Sequence, residues 1–183
     1  MFLAELDRLS DEELDDQTAL PGWTRRHVIA HVHYNAVALG HLVNWAATGI
    51  EERMYASAEQ RNDEIERGAA LGAMELRRLV GASAEQLAAA YTALSPDALN
   101  AQVVTAQGRT VPVTEVPWMR AREVMIHTVD LGTGVTFDDL PTDFVEALIV
   151  DIAHRRVAAG EGPALAAWLA GRQQRAPELS RWL

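Results

Sequence analysis

The feature that most constrains the fold is a long helical stretch with both ends marked. Leu20-Pro21-Gly22-Trp23 reads as a turn and Thr24 as an N-cap. From Arg25 to about Ala47 the apolar residues Val28, Val32, Leu39 and Val43 recur at helical spacing until Gly49 stops the run. The pattern then repeats. Ser57 is placed to cap a second helix through about Arg67, and after a weak stretch from Gly68 to Gly72 a third runs from Ala73 to Leu94, with an interruption or kink expected near Gly81. Ser95-Pro96 ends it. The period changes at Gln102–Thr105 and Arg109–Pro112, which flank Ala106-Gln-Gly108 as a short hairpin would. Thr114 opens a further helix with Pro117 in its first turn, running to Leu131 before Gly132 and Gly134. Asp139 to Pro141 starts another to about Ala159, and Ala164–Ala170 forms a last short one. Four substantial helices with one short extended excursion predict a mainly α helix bundle.

A chain of 183 residues is long enough to bury a core without staples, and its cysteine count of zero leaves none to form. The lack of a disulfide framework, together with an acidic start unlike a secretory signal, places the chain in the cytoplasm as an expectation. No uncharged apolar stretch approaches the roughly 20 residues of a membrane span. A formal net charge of −10 opposes phosphate neutralisation, so neither nucleic acid nor an anionic membrane is expected as a partner. Any thiol chemistry must use sulfur from outside the chain.

Helix bundles build metal sites from inward side chains on facing helices. Glu123 and His127 lie one turn apart on one helix, and His27 and His31 share that spacing on the earlier one. Glu123, His127 and one of the two earlier histidines would give zinc three protein ligands and an open fourth position, the pattern of catalytic zinc. Spacing does not choose between His27 and His31, and such pairs are commonly surface hydrogen bonds. His27, Tyr34 and His41 fall on one stripe that reads as a mixed or solvated face. His31 shares its stripe with Asn35, Ala38, Leu42 and Trp45, where a core histidine with a hydrogen-bond partner is the plainer reading. His33 and His154 read as surface positions, Trp23, Trp45 and Trp118 as core or rim aromatics, and the charge run Glu59–Arg67 as a solvated helix face. Arg172, just after Gly171, is by default a helix-end cation.

Taken together, several motifs resemble one family. Leu20-Pro-Gly-Trp-Thr-Arg-Arg-His-Val-Ile-Ala-His31 is followed by Asn44-Trp-Ala-Ala-Thr-Gly49, Met54-Tyr55 and Arg61-Asn62. Thr105-Ala-Gln-Gly-Arg-Thr-Val-Pro112, Trp118-Met-Arg-Ala-Arg-Glu123 with His127, and Asp130-Leu-Gly132 complete the set. The combination is similar to the mycothiol-dependent maleylpyruvate isomerases of the DinB-like four-helix-bundle superfamily. The likeness runs from about Leu20 to Thr136 and resumes at the C-terminus, including Ser180-Arg-Trp-Leu183. It implies zinc ligands at His31, Glu123 and His127. It also implies a catalytic arginine at Arg172 in Ala166-Ala-Trp-Leu-Ala-Gly-Arg172, with Zn(II) and mycothiol as cofactors and maleylpyruvate as substrate.

The reaction so implied turns a cis enedioate into trans fumarylpyruvate through reversible addition of a zinc-bound mycothiol thiolate to the double bond. Arg172 would pair with a substrate carboxylate or the enolate oxygen. Asp130, one turn beyond His127, and Asn35, one turn beyond His31, are the candidates to orient the ligands. A mycothiol S-transferase, a zinc hydrolase and a non-catalytic zinc or small-ligand bundle remain as alternatives. The expected organisation is a metal-binding bundle over residues 1–159 with the remnant of a small C-terminal domain over 160–183. Against the family pattern the N-terminal helix is shorter and a strand-bearing segment is missing near Gly160–Pro163, where a break in the chain is expected.

Overall fold

The computed structural model describes residues 1–179, which excludes the terminal Ser180–Leu183 motif. The chain divides into two compact units, Met1–Val135 and Thr136–Leu183.

The first unit is built around α2, Arg25–Thr48. Helix α3 (Ala58–Ala69), α4 (Ala73–Thr92) and α5 (Val116–Asp130) all pack against it, and the short α1 (Phe2–Leu6) leans on α5. With α3, α4 and α5 around it, the first half of α2 is enclosed, and Val28 through His33 are buried without exception. His33, read from the sequence as a surface residue, therefore lies inside, its Nδ1 2.9 Å from the Ser83 hydroxyl of α4. Two apolar clusters lie along α2. One joins Val28, Ile29 and Val32 to Phe2, Leu6, Ile65, Leu76 and Leu131, and the other joins Leu39, Leu42 and Val43 to Leu87, Val103, Val111 and Val116. Each fully buried Leu, Ile or Val contributes about 1.5–3 kcal/mol relative to exposure.

Local signals set the element ends. Gly49 closes α2 at φ 73°, a left-handed position that side chains resist, and its N–H donates to Trp45 O at 2.8 Å. Ser57 caps α3 by accepting from Gln60 N. Helix α4 runs through Gly81 without the expected interruption, because its packing along α2 holds the helix whatever the local propensity. Strands β1 (Gln102–Val104) and β2 (Thr110–Pro112) pair antiparallel with Val103 opposite Val111, as the change of period predicts. A single 3-10 turn, Val113–Glu115, precedes α5, so the helix starts later than Thr114.

The second unit holds α6 (Thr142–Ala158) and α7 (Gly162–Leu169), packed on each other. The compact units divide after Val135, with α6 and α7 together in the second. Gly160 N donates to Val157 O and Glu161 N to Arg156 O, closing α6 and feeding α7 through a tight turn. Among the described residues no helix is long and apolar enough to cross a membrane.

Candidate metal centre

Two arginines hold α2 against α5 on either side of the centre. Arg25, at the start of α2, donates from Nε to Leu131 O (2.6 Å) and from Nη2 to Gly132 O (3.2 Å) at the far end of α5. Arg120 of α5 reaches back to Val32 O (2.7 Å) and Asn35 Oδ1 (3.0 Å). Burial lowers the Arg120 guanidinium to about 10, so it keeps its proton at neutral pH. Asn35 is therefore spent on Arg120 and does not orient His31, contrary to its expected role.

Between these ties His31, Glu123 and His127 converge, each offering one ligand atom within 4.8 Å of the others. His31 and His127 are 5% and 4% exposed, and their rings meet edge to face with centroids 4.7 Å apart. Trp23 tilts over His31 at 5.5 Å. His31 Nε2 lies 2.8 Å from Glu123 Oε2. His127 Nδ1 donates to Asp130 Oδ2 at 2.8 Å, the carboxylate–histidine pairing that fixes a ligating ring and leaves Nε2 for a metal. That Nε2 is buried and has no hydrogen-bond partner. It lies 3.4 Å from Glu123 Oε2, close enough to feel the charge but not aligned to bond.

The electrostatics separate the two histidines. Burial drives the His31 imidazole below its ordinary value, and the Glu123 hydrogen bond only partly opposes it. Burial acts on His127 in the same direction, but Asp130 and Glu123 outweigh it and lift the ring to about 8. Burial would raise the Glu123 carboxyl, yet the neighbouring His127 ring and the hydrogen bond with His31 hold it well below the usual carboxylate range. The donor set therefore suits a divalent cation: an ionised carboxylate, a neutral imidazole and an orphaned ring nitrogen face one point. Among the described residues no further His, Asp or Glu joins the group, which leaves an open position.

His27 does other work. Its Nδ1 accepts from Thr24 N at 3.1 Å and meets the Thr24 hydroxyl at 2.8 Å, closing a capping box at the start of α2. Arg172 lies in the second unit, exposed beyond the end of α7, where its Nη1 donates to Ala170 O. The sequence reading quoted Arg61 in the Arg61-Asn62 motif of the family likeness but gave it no role at the centre. Its Nη2 lies 3.3 Å from His31 Nδ1, although it belongs to the charge run read as solvated. The available signal was its spacing from Ile65 and Gly68, both buried on α3.

Facing helices that present two histidines and a carboxylate around an open position define a helix-bundle metal site. Comparison with known proteins narrows this class. The chain belongs to the family described as "Mycothiol maleylpyruvate isomerase N-terminal domain", whose profile matches residues 2–132. It is similar to the crystal structure of the mycothiol-dependent maleylpyruvate isomerase, with 45% identity and a TM-score of 0.85 over 88% of this chain and 67% of that one. A histidine-to-alanine mutant of the mycothiol-dependent maleylpyruvate isomerase matches at 45% identity and a TM-score of 0.80, over 83% of this chain and 63% of that one. The chain thus spans about two thirds of these proteins. No curated protein matches it.

Proposed function

We propose that this chain is a cytoplasmic isomerase that converts maleylpyruvate to fumarylpyruvate using mycothiol, with Zn(II) held by His31, Glu123 and His127. The observation that carries the reading is the buried His127 Nε2, which no hydrogen bond satisfies and which faces the same point as the His31 and Glu123 ligand atoms. A buried polar atom left unpaired is costly, and a cation there removes the cost. When bound, the metal supplies an acidifying position for a thiol, and mycothiol supplies the sulfur whose reversible addition makes the double bond single long enough to rotate.

The chain's own residues do the rest. Asp130 holds the His127 ring by its Nδ1 proton, and Arg25 and Arg120 fix the separation of α2 and α5. Trp23 and the two histidine rings exclude water from the inner side of the centre. The family likeness implies that Arg172 supplies a planar donor fork for a substrate carboxylate. The test is to assay maleylpyruvate with and without mycothiol, before and after metal removal by a chelator. Formation of the trans product that needs both thiol and metal, with the thiol recovered unchanged, supports the reading. A stable thiol adduct turns it into a transferase, and turnover without thiol refutes it.

A further inference from the structure

The first unit holds a cavity of about 500 Å³ that none of His31, Glu123 and His127 lines. Val32 of α2, Val80, Ala84 and Leu87 of α4, and Val116 and Val124 of α5 form it, with the first residues of α1 completing the wall. Val80, Ala84 and Leu87 are spaced by four and three, so one face of α4 is turned into it. Val32, Val80, Leu87 and Val116 are buried, whereas Ala84 is half-buried and Ala88, also in the lining, is exposed. The cavity therefore opens to solvent beside α4. Its one charged side chain is Arg120, and no Asp or Glu lines it. Arg120 Nη1 donates to two neutral acceptors, Val32 O at 2.7 Å and Asn35 Oδ1 at 3.0 Å, and its Nε and Nη2 have no acceptor among the described residues. Glu123 stands one turn along α5 and its charge reaches Arg120, but no hydrogen bond joins the two, and Glu123 Oε2 is paired with His31.

A cavity of this size, apolar but for one placed polar group, selects ligands of the same make. Apolar walls give affinity in proportion to the area they cover, and a guanidinium with free donors orients an anion. A second charge on the ligand would be buried against valine and leucine side chains without a partner, which is costly. A dicarboxylate therefore does not suit these walls, and an uncharged chain would leave the Arg120 donors unused. We propose that this cavity binds a small monocarboxylate with an apolar body, its carboxylate on Arg120 and its chain along the facing sides of α4 and α5. The site is independent of what His31, Glu123 and His127 hold.

The test uses octanoate and 1-octanol, probes alike in chain and different in charge. Titration calorimetry at neutral pH should show saturable one-to-one binding of octanoate to the wild type, at least about 10-fold tighter than octanol, the scale of one charge-assisted hydrogen bond. Methyl resonances of Val80, Leu87 and Val116 should move as octanoate is added, while those of Ile65 on α3 stay in place. Arg120→Met should bring octanoate down to the affinity of octanol. Ala84→Phe should abolish binding of both by filling the cavity, and its urea midpoint reports whether the fold is kept. Should either variant fail to fold, the wild-type comparison and the methyl shifts decide. No octanoate binding by the wild type, equal affinity for octanol, or shifts that fall outside the lining would each overturn the proposal. Undiminished octanoate binding by folded Ala84→Phe or folded Arg120→Met would do the same.

Discussion

Asp130 is the group whose replacement probes the centre without touching a ligand. Its Oδ2 accepts the His127 Nδ1 proton at 2.8 Å, and its side chain is 19% exposed, so solvent screens the pair little. Losing such a partner costs metal affinity by about 10–100-fold, or about 1.4–2.7 kcal/mol. Asp130→Asn keeps an acceptor in place and removes only the charge, so it belongs near the 10-fold end. Asp130→Ala removes both and belongs near 100-fold.

The pH dependence makes the expectation sharper. His127 sits at about 8, and a proton on it competes with the metal, so apparent wild-type affinity falls about tenfold per pH unit below that point. With the Asp130 charge gone, His127 drops toward its ordinary 6.5 and the proton competes less. The Asn variant's deficit should therefore be about 10-fold at pH 9 and shrink to near parity at pH 6.5. Competition against a chromophoric chelator across that range measures it. A deficit that does not change with pH, or an Ala variant that binds like wild type, would refute the assigned role of Asp130.

Other outcomes follow from the same coordinates. In metal-free protein the raised His127 value contributes stability that is complete below about 6.5 and lost as pH rises through about 8. Denaturant unfolding should then show a decline of up to about 2 kcal/mol between pH 6.5 and 9, absent in His127→Gln; His31, whose value is lowered, acts only below that window. Gly68→Ala would set a Cβ 2.7 Å from Ala30 Cβ and 3.0 Å from Tyr34 Cε2 where α3 crosses α2. Overpacking should outweigh the gain in helix propensity and cost about 1–2 kcal/mol by urea titration, and an unchanged midpoint would show that the helices separate freely. Arg172→Ala should keep fold and metal content while turnover drops by about 100-fold, and unchanged turnover would leave Arg172 as a helix-end cation.

The ends of α2 were legible because Thr24 and Gly49 act through local backbone geometry, which needs no knowledge of neighbours. The ligand pairs were half legible. Helical spacing put His27 and His31 on equal terms, and only the family likeness favoured His31; in the structure His27 is already engaged by Thr24 at the cap. His33 was misread because a helical wheel describes one helix, while its burial comes from α4 on the face the wheel leaves open. Arg61 was hidden by its neighbours, since a run rich in charge reads as solvated although one of its members shares the inner face with Ile65. The unit boundary after Val135 depends on which partner α6 chooses, and a sequence without strong linker composition does not state that.

The hairpin between the two halves of the centre has a topological consequence. Its tip, Ala106–Thr110, is exposed, and it separates His31 from Glu123 and His127 along the chain. A single cut there would leave His31 on one piece and Glu123 with His127 on the other, so that neither piece holds all three donors of the centre. Exposed loop tips are where chains tolerate such nicks. Metal retention would then belong only to the reassembled pair, and the ion would act as a reversible clasp between two polypeptides.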